Sequence, residues 1–383
     1  MPFTRTLAPF SGSFFYILIL GRLHPFCEYF RNLFCKDLDI SKPFSTFAKK
    51  FATCMKNPFT YGTTIDESQF LGRKAELERV KQLLNNKKHL VLIGPCRFGK
   101  TSLVQLALKQ TRRPYLVLNW QHVINANDFV MQLLREVKKV RKHEPLQLSS
   151  NDPLTEVMEL LESTGQTKPG FTVVFDGFQE VKEQDIYLIK RLAQLIREQE
   201  HVTYIFLGNQ ESGMTDLFEK RKSPFWNIGE VLRLDKIPYD ALNNFVSSKM
   251  MAMAGVQNSK SITRNILEIT NCHPYYTQQL AAQVWQILVN QGFTTNVVET
   301  AVNEIISMQD LNYERIWVSM NRTDRRVLQT LCRHQKIFDD KSYPTSTTFS
   351  AVKRLMQAGY IVKNADYELE DPFFERWIMR FLS

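Results

Sequence analysis

Leu90-Val-Leu-Ile-Gly94-Pro-Cys-Arg-Phe-Gly99-Lys100-Thr101 decides how this chain folds. Four apolar residues in succession read as a strand buried on both faces. The next eight fill every fixed position of the pattern Gly-x-x-x-x-Gly-Lys-Ser/Thr. Such a loop between strand and helix is a phosphate cradle. The loop of Gly94, Pro95, Cys96, Arg97, Phe98 and Gly99 wraps a β-phosphate with the backbone N–H groups of all its residues except Pro95. Lys100 spans the β- and γ-phosphates, and Thr101 offers its hydroxyl to Mg²⁺ with Ser102 beside it. The helix that opens near Lys100 adds the positive end of its dipole. The ligand implied is ATP with Mg²⁺.

Outward from the loop, strands and helices alternate as a parallel sheet with crossover helices requires. Ala75–Leu84 is expected to be a helix with Leu77, Val80, Leu83 and Leu84 as its stripe. A helix runs from the loop through Leu108, then follow strand Tyr115–Leu118 and helices Phe129–Val140 and Leu154–Glu162. Strand Phe171–Phe175 ends in Asp176, helix Ile186–Arg197 precedes strand Val202–Leu207, and Val231–Leu234 closes the sheet. Asp176, leaving a buried strand toward the loop, suits a carboxylate that holds Mg²⁺ through water, opposite Thr101. Asn209, just past its own strand, can sense a γ-phosphate or fix the lytic water. Arg191, Lys220, Arg221 and Lys222 are basic groups that no spacing rule selects.

At 383 residues the chain is long enough for two or three domains. It is 44% hydrophobic and 23% charged, an ordinary globular balance that excludes a disordered or fibrous class. Its six cysteines carry no Cys-x-x-Cys pair and read as free thiols of a reducing cytoplasm. A net charge of +10 is compatible with a polyanionic partner without selecting one. Residues 1–54 differ from the rest. Phe14–Leu20 is apolar but too short to span a bilayer, and no small-x-small cleavage site follows it. Stable membrane insertion is not expected. Met55 opens the first segment that joins the core, so a start at Met55 stands beside a start at Met1, and 1–54 are read as an extension outside the fold.

Together these residues resemble the archaeal-type ATPases of the STAND branch of AAA+ proteins, found in archaea and bacteria. The resemblance runs over about residues 57–380. Asn57-Pro-Phe59 and then Phe70-Leu-Gly72-Arg73-Lys-Ala-Glu76-Leu77 are similar to that family's opening segment, whose Phe-x-Gly-Arg box lies over the adenine. Asp176-Gly-Phe-Gln-Glu180 is similar to its Asp-Glu-Phe-Gln signature, with glycine where the water-polarising glutamate stands. Tyr204–Asn209 resembles its sensor strand, and Met214, Phe218 and Ser223-Pro-Phe-Trp226 the aromatic loop beyond. Asn271-Cys272-His273-Pro274-Tyr-Tyr276 with Gln279 and Leu280 is similar to the Gly-His-Pro-Tyr-Tyr helix of a lid, which brings His273 or Pro274 to the nucleotide.

The resemblance implies an α/β P-loop NTPase core over 55–236, an all-α lid over 237–310 and a winged helix over 311–383. The lid also follows from the helical spacing of Tyr239–Ala254 and Ile262–Ile269, with Pro274 suited to a helix start. The tail has helices Asp324–Cys332 and Thr347–Ala358, the second with Phe349, Val352, Leu355 and Met356 on one face. A hairpin turns at Asn364-Ala-Asp366 before Asp371-Pro-Phe-Phe-Glu-Arg-Trp377 closes the chain.

The activity implied is an ATP-dependent switch, with hydrolysis slow because Gly177 brings no carboxylate; such assistance is commonly worth about 10²–10⁴ in rate. Glu180 replaces it only if the turn folds back. Gly177→Glu is then expected to raise turnover, unless the glycine serves a backbone angle that glutamate cannot adopt. Two other readings stand beside the switch: a DNA-binding initiator or mobile-element ATPase using the winged helix, and a scaffold that binds ATP without turnover. A protein partner and self-association are both compatible with the pattern. The second tail helix offers DNA only Lys353 and Arg354, which favours packing on the ATPase or protein docking.

Overall fold

The computed structural model describes residues 57–63, 67, 70–142, 148, 151–339, 344–363 and 366–382. The extension 1–54 and the turn at Asn364 and Ala365 lie outside the described residues. The chain divides into two compact units. One comprises Thr64–Lys236 with Phe349–Glu370, the other the chain up to Thr63 with Ile237–Thr348 and Asp371–Ser383.

The first unit is built on five parallel strands, β1 (Leu90–Ile93), β2 (Tyr115–Asn119), β3 (Thr172–Asp176), β4 (Thr203–Gly208) and β5 (Glu230–Arg233), in the order β2-β3-β4-β1-β5. Side chains alternate between its faces. Leu90 and Leu92 of β1, with Val174, Ile205 and Leu207, pack under α1 (Lys74–Asn85) and α2 (Lys100–Gln110). Val91, Ile93, Val173, Phe175, Tyr204 and Phe206 pack under α3 (Ala126–Arg141), α4 (Pro153–Thr167), α5 (Ile186–Glu198) and α6 (Glu211–Phe218). A parallel sheet must be covered on both faces because its crossovers lie there, so the central strands read as unbroken apolar runs. Local chemistry starts the helices. Asn125, Asp152 and Asp185 each accept a backbone N–H at the N-terminus of α3, α4 and α5, and Pro153 follows its cap directly.

The sequence expectations for β1 to β5 and α1 to α5 hold to within a few residues at most ends, except that α3 begins three residues before Phe129 and α4 runs five beyond Glu162. Helix α6 occupies a stretch read from the sequence as loop. Its eight residues bury Met214, Leu217 and Phe218.

In the second unit, α7 (Tyr239–Thr270) joins two expected helices in one run broken at Gly255, where φ is 74° and ψ 169°. α8 (Pro274–Gln291) and α9 (Val297–Ser319) pack with it, and the Thr270 and Thr277 hydroxyls are 2.8 Å apart. Phe59 is edge-on to Phe245 and Trp285, and the Lys249 ammonium donates to the Pro58 carbonyl at 2.8 Å. α10 (Arg322–Cys332) and α12 (Pro372–Met379) also belong here. Asp371 caps α12 and accepts the Tyr313 hydroxyl at 3.0 Å.

Between them in sequence come α11 (Thr345–Gln357) and the antiparallel pair β6 (Ile361–Lys363) and β7 (Tyr367–Leu369). The apolar face expected of α11 is corrected. Val352 and Leu355 are buried with Ala351, but Phe349 is 59% exposed and Met356 36%, because the buried stripe is rotated toward Thr348 and Ala351.

Candidate phosphate-binding site

The phosphate loop leaves the carboxyl end of β1 beside the ends of β4 and β5, the edge where ligands of open parallel sheets bind. The Gly94 N–H donates to the Gly208 carbonyl at 3.2 Å, and the Leu234 N–H to the Ile93 carbonyl at 2.8 Å. A Cβ on Gly94 would stand 3.1 Å from the Cβ of Leu234, so the first glycine serves a close approach. Gly99 is left-handed at φ 83° and forms the N-cap of α2 with no side-chain cap, which leaves the helix's first N–H groups for a ligand. Arg97 shares the left-handed region at φ 59°. Cys96 and Arg97 are exposed on the loop and Phe98 is buried.

Lys100 is folded into this loop. Its ammonium donates to the carbonyls of Gly94 and Pro95, both at 2.7 Å, and burial pushes its pKa down to about 8. Thr101 Oγ1 donates to Asp176 Oδ2 at 3.1 Å, which puts the hydroxyl and the carboxylate predicted to share Mg²⁺ next to each other across 75 residues of sequence. These groups fit a magnesium nucleotide. A buried cation, uncapped helix N–H groups, a hydroxyl and a carboxylate converge there, and ATP with Mg²⁺ would be held by Lys100, the loop N–H groups, Thr101 and Asp176.

Past Asp176 the chain turns at Gly177, left-handed at φ 69° and ψ 31°, into a 3₁₀ helix over Phe178–Glu183. The Glu180 N–H donates to the Gly177 carbonyl at 3.1 Å, the first hydrogen bond of that 3₁₀ turn. Gln179, 3% exposed, reaches Asn209 and Glu180. Its Nε2 donates to Asn209 Oδ1 at 2.7 Å and to Glu180 Oε1 at 3.2 Å, and its Oε1 accepts the Asn209 N–H at 3.3 Å. Sequence reasoning quoted Gln179 within a signature and gave it no role.

The backbone at Gly177 alters the outcome expected of Gly177→Glu. A Cβ there would lie 3.3 Å from Gln121 Cγ and 3.5 Å from Asn119 Oδ1, and a left-handed backbone costs a non-glycine residue about 1–2 kcal/mol. We expect Gly177→Glu to lose about that much stability in urea unfolding and to show no gain in turnover. Gly177→Ala shares the backbone cost without the carboxylate. A turnover gain confined to the glutamate variant would show that the strain is tolerated and the carboxylate acts.

Of the residues expected over the adenine, Phe70 packs against the α1–α2 side of the core and Gly72 is left-handed at φ 69°. The Arg73 guanidinium is buried against protein groups: it donates to the Asp235 carbonyl at 2.7 Å, to the Phe98 carbonyl at 3.3 Å and to Glu76 Oε1 at 3.3 Å. Burial lowers its pKa. Arg73 therefore ties the loop carbonyl of Phe98 to that of Asp235. In the second unit, His273 is the N-cap of α8, its Nδ1 accepting the Tyr275 N–H at 3.2 Å, and Pro274 is the first helical residue. Asn271 and Cys272, at the glycine position of the resemblance, are both left-handed at φ 47° and 56°. Arg191 is engaged with Thr155 and Asp152, and Lys220 with Asp216.

No protein-family model matches the sequence, and no curated protein does. Solved structures do. A Walker-type ATPase of Pyrococcus abyssi superposes with a TM-score of 0.63 at 15% identity, covering 82% of this chain and 97% of that one. The ORC2 protein of Aeropyrum pernix, solved in ADPNP–ADP complexes, gives 0.54 at 12% identity over 85% and 99%. At such identities the likeness shows fold, and the fold is that of the AAA+ P-loop NTPases: a parallel five-stranded sheet with helices and a helical C-terminal part. No helix among the described residues is long and apolar enough to cross a membrane. No group of three or more His, Cys, Asp or Glu side chains among the described residues is arranged to hold a metal ion. Mg²⁺ would thus draw on Thr101, Asp176, water and the nucleotide's own oxygens.

Proposed function

We propose that this protein is an ATP-binding P-loop NTPase that works as a nucleotide-dependent switch, with ATP and Mg²⁺ as ligands and slow hydrolysis. The observation that carries the reading is the complete phosphate loop with the Thr101–Asp176 pair at 3.1 Å beside it. Bound Mg²⁺ would neutralise charge between the β- and γ-phosphates. The chain's own residues do the rest: Lys100 spans two phosphates, Asp176 orients the Thr101 hydroxyl, and Asn209 stands at the end of β4 next to the residue that bonds Gly94. The STAND-like switch assigns the response to the helical unit that carries His273 and Pro274, acting on a protein partner in the cytoplasm. Slow turnover follows from Gly177, which leaves Glu180 as the nearby carboxylate of the turn.

Calorimetry with Mg²⁺ and ATP, followed by steady-state phosphate release, tests this. The expected result is saturable binding of one nucleotide and turnover below about 1 s⁻¹, the low end for enzymes. Absence of binding sinks the nucleotide reading, and turnover near 10 s⁻¹ sinks the slow switch. Retention of ATP with no phosphate release selects the scaffold. DNA affinity that falls steeply with salt and is lost in Lys353→Ala/Arg354→Ala selects the initiator-like alternative, since both side chains are exposed on α11.

A further inference from the structure

The two amides of Gln179 and Asn209 are locked in one relative orientation by a group that cannot be turned around. A backbone N–H only donates. The atom of Gln179 that faces the Asn209 N–H at 3.3 Å is therefore Oε1, which leaves Nε2 as the other end of that amide. Nε2 only donates in turn, so the Asn209 atom it meets at 2.7 Å is Oδ1. The contact from Nε2 to Glu180 Oε1 at 3.2 Å agrees, because an ionised carboxylate only accepts. Both N–H groups of Gln179 and one lone pair of its Oε1 are thereby used, inside a side chain 3% exposed. By elimination the Asn209 amide shows its NH₂ face to whatever lies beyond it. Its Nδ2 makes no hydrogen bond among the described residues.

The place is set by the sheet. Gly208 pairs with Ile93, its carbonyl takes the Gly94 N–H, and Asn209 is the next residue. A terminal phosphate offers oxygens that accept and never donate. An asparagine showing NH₂ attracts it, whereas one showing its carbonyl oxygen repels it.

Resting on the nucleotide reading above, we propose that Gln179 is a positioning residue that holds the Asn209 amide with its NH₂ toward the terminal phosphate of a bound nucleoside triphosphate. It thereby sets the preference for triphosphate over diphosphate. The diphosphate end of the ligand belongs to the loop and Lys100, which Gln179 does not touch, so its role is read in a ratio of affinities.

The discriminating variant is Gln179→Glu. It keeps the length and shape of the side chain and accepts the Asn209 N–H, but it cannot donate to Oδ1. The Asn209 amide must then turn its NH₂ inward and its oxygen outward. Binding of ADPNP and of ADP, each with Mg²⁺, is measured by calorimetry for the wild type, Gln179→Glu, Asn209→Ala and the double variant. The wild type is expected to prefer ADPNP by about 10-fold or more, the scale of one hydrogen bond to a charged group. Gln179→Glu and Asn209→Ala are each expected to bring that preference close to one while ADP affinity stays within about two-fold, and the double variant to go no further. Should the glutamate variant fail to fold, Gln179→Met retains the volume, removes all three hydrogen bonds and carries the same expectation.

A Gln179→Glu protein that keeps the wild-type preference overturns the inference. So does a variant that loses ADP and ADPNP affinity in equal proportion, which is the signature of a purely structural residue. If wild-type protein binds ADP without preferring ADPNP, the inference falls and the nucleotide reading stands; if it binds neither, both fall.

Discussion

Lys100→Ala is expected to yield a folded protein whose ATP affinity is lower by about 10²–10⁴-fold, because one ammonium is lost from two phosphates at roughly 1.5–3 kcal/mol per charged hydrogen bond. The fold should tolerate the change. The loop's backbone is held by Gly94 to Gly208, Leu234 to Ile93 and Arg73 to Phe98, none of which involves the lysine. The ammonium is itself a burden without a ligand: burial lowers its pKa to about 8, and two carbonyls are its hydrogen-bond acceptors. Unfolding in urea should therefore shift by less than about 1 kcal/mol, in either direction. Calorimetry with Mg²⁺ and ATP reads the affinity, and a loss smaller than about 10-fold would mean that the loop is not where the phosphates bind.

What was legible in the sequence was whatever depends on near neighbours along the chain. The strand, the glycines, Lys100 and Thr101 form one continuous stretch, so their geometry is encoded locally. Asp176 could be placed because a buried strand runs straight into it. Gln179 could not be given a role, because its partner Asn209 is 30 residues away and the pair meets only through the register of β3 on β4. The protein contacts of Arg73 were illegible for a similar reason. Its box points to the nucleotide, while the carbonyl that holds it most closely, that of Asp235, is 162 residues on.

The face of α11 went astray because Phe349 and Met356 fit a helical stripe, yet the buried contacts are made by the smaller Ala351 and Thr348 with Val352 and Leu355. Helix α6 was hidden by its shortness. Eight residues beginning Glu211-Ser-Gly213 carry too little periodicity, and only burial of Met214, Leu217 and Phe218 makes them a helix.

Phe178→Ala should be the most destabilising single change at the site, about 3–5 kcal/mol, the range for removing a fully buried phenylalanine ring. Phe178 is 0% exposed and lies at the centre of an aromatic cluster. Its ring centroid is 4.7 Å from that of Phe206, 5.1 Å from Phe225, 5.4 Å from Trp120 and 5.7 Å from Phe175 and Phe218. Those rings come from β3, β4, α6, the 3₁₀ turn after β2 and the loop before β5, so no single neighbour can relax into the space. The residue is flanked by Gly177 and Gln179. Anchoring it in the core is what fixes the turn from which Gln179 reaches Asn209. The variant should accordingly lose stability in urea unfolding and, while still folded, lose the preference for ADPNP over ADP ahead of its affinity for ADP. Phe178→Leu, which refills much of the volume, should recover most of both. A loss below about 1 kcal/mol in Phe178→Ala would show that the cluster collapses around the gap, and that the turn is held by its hydrogen bonds instead.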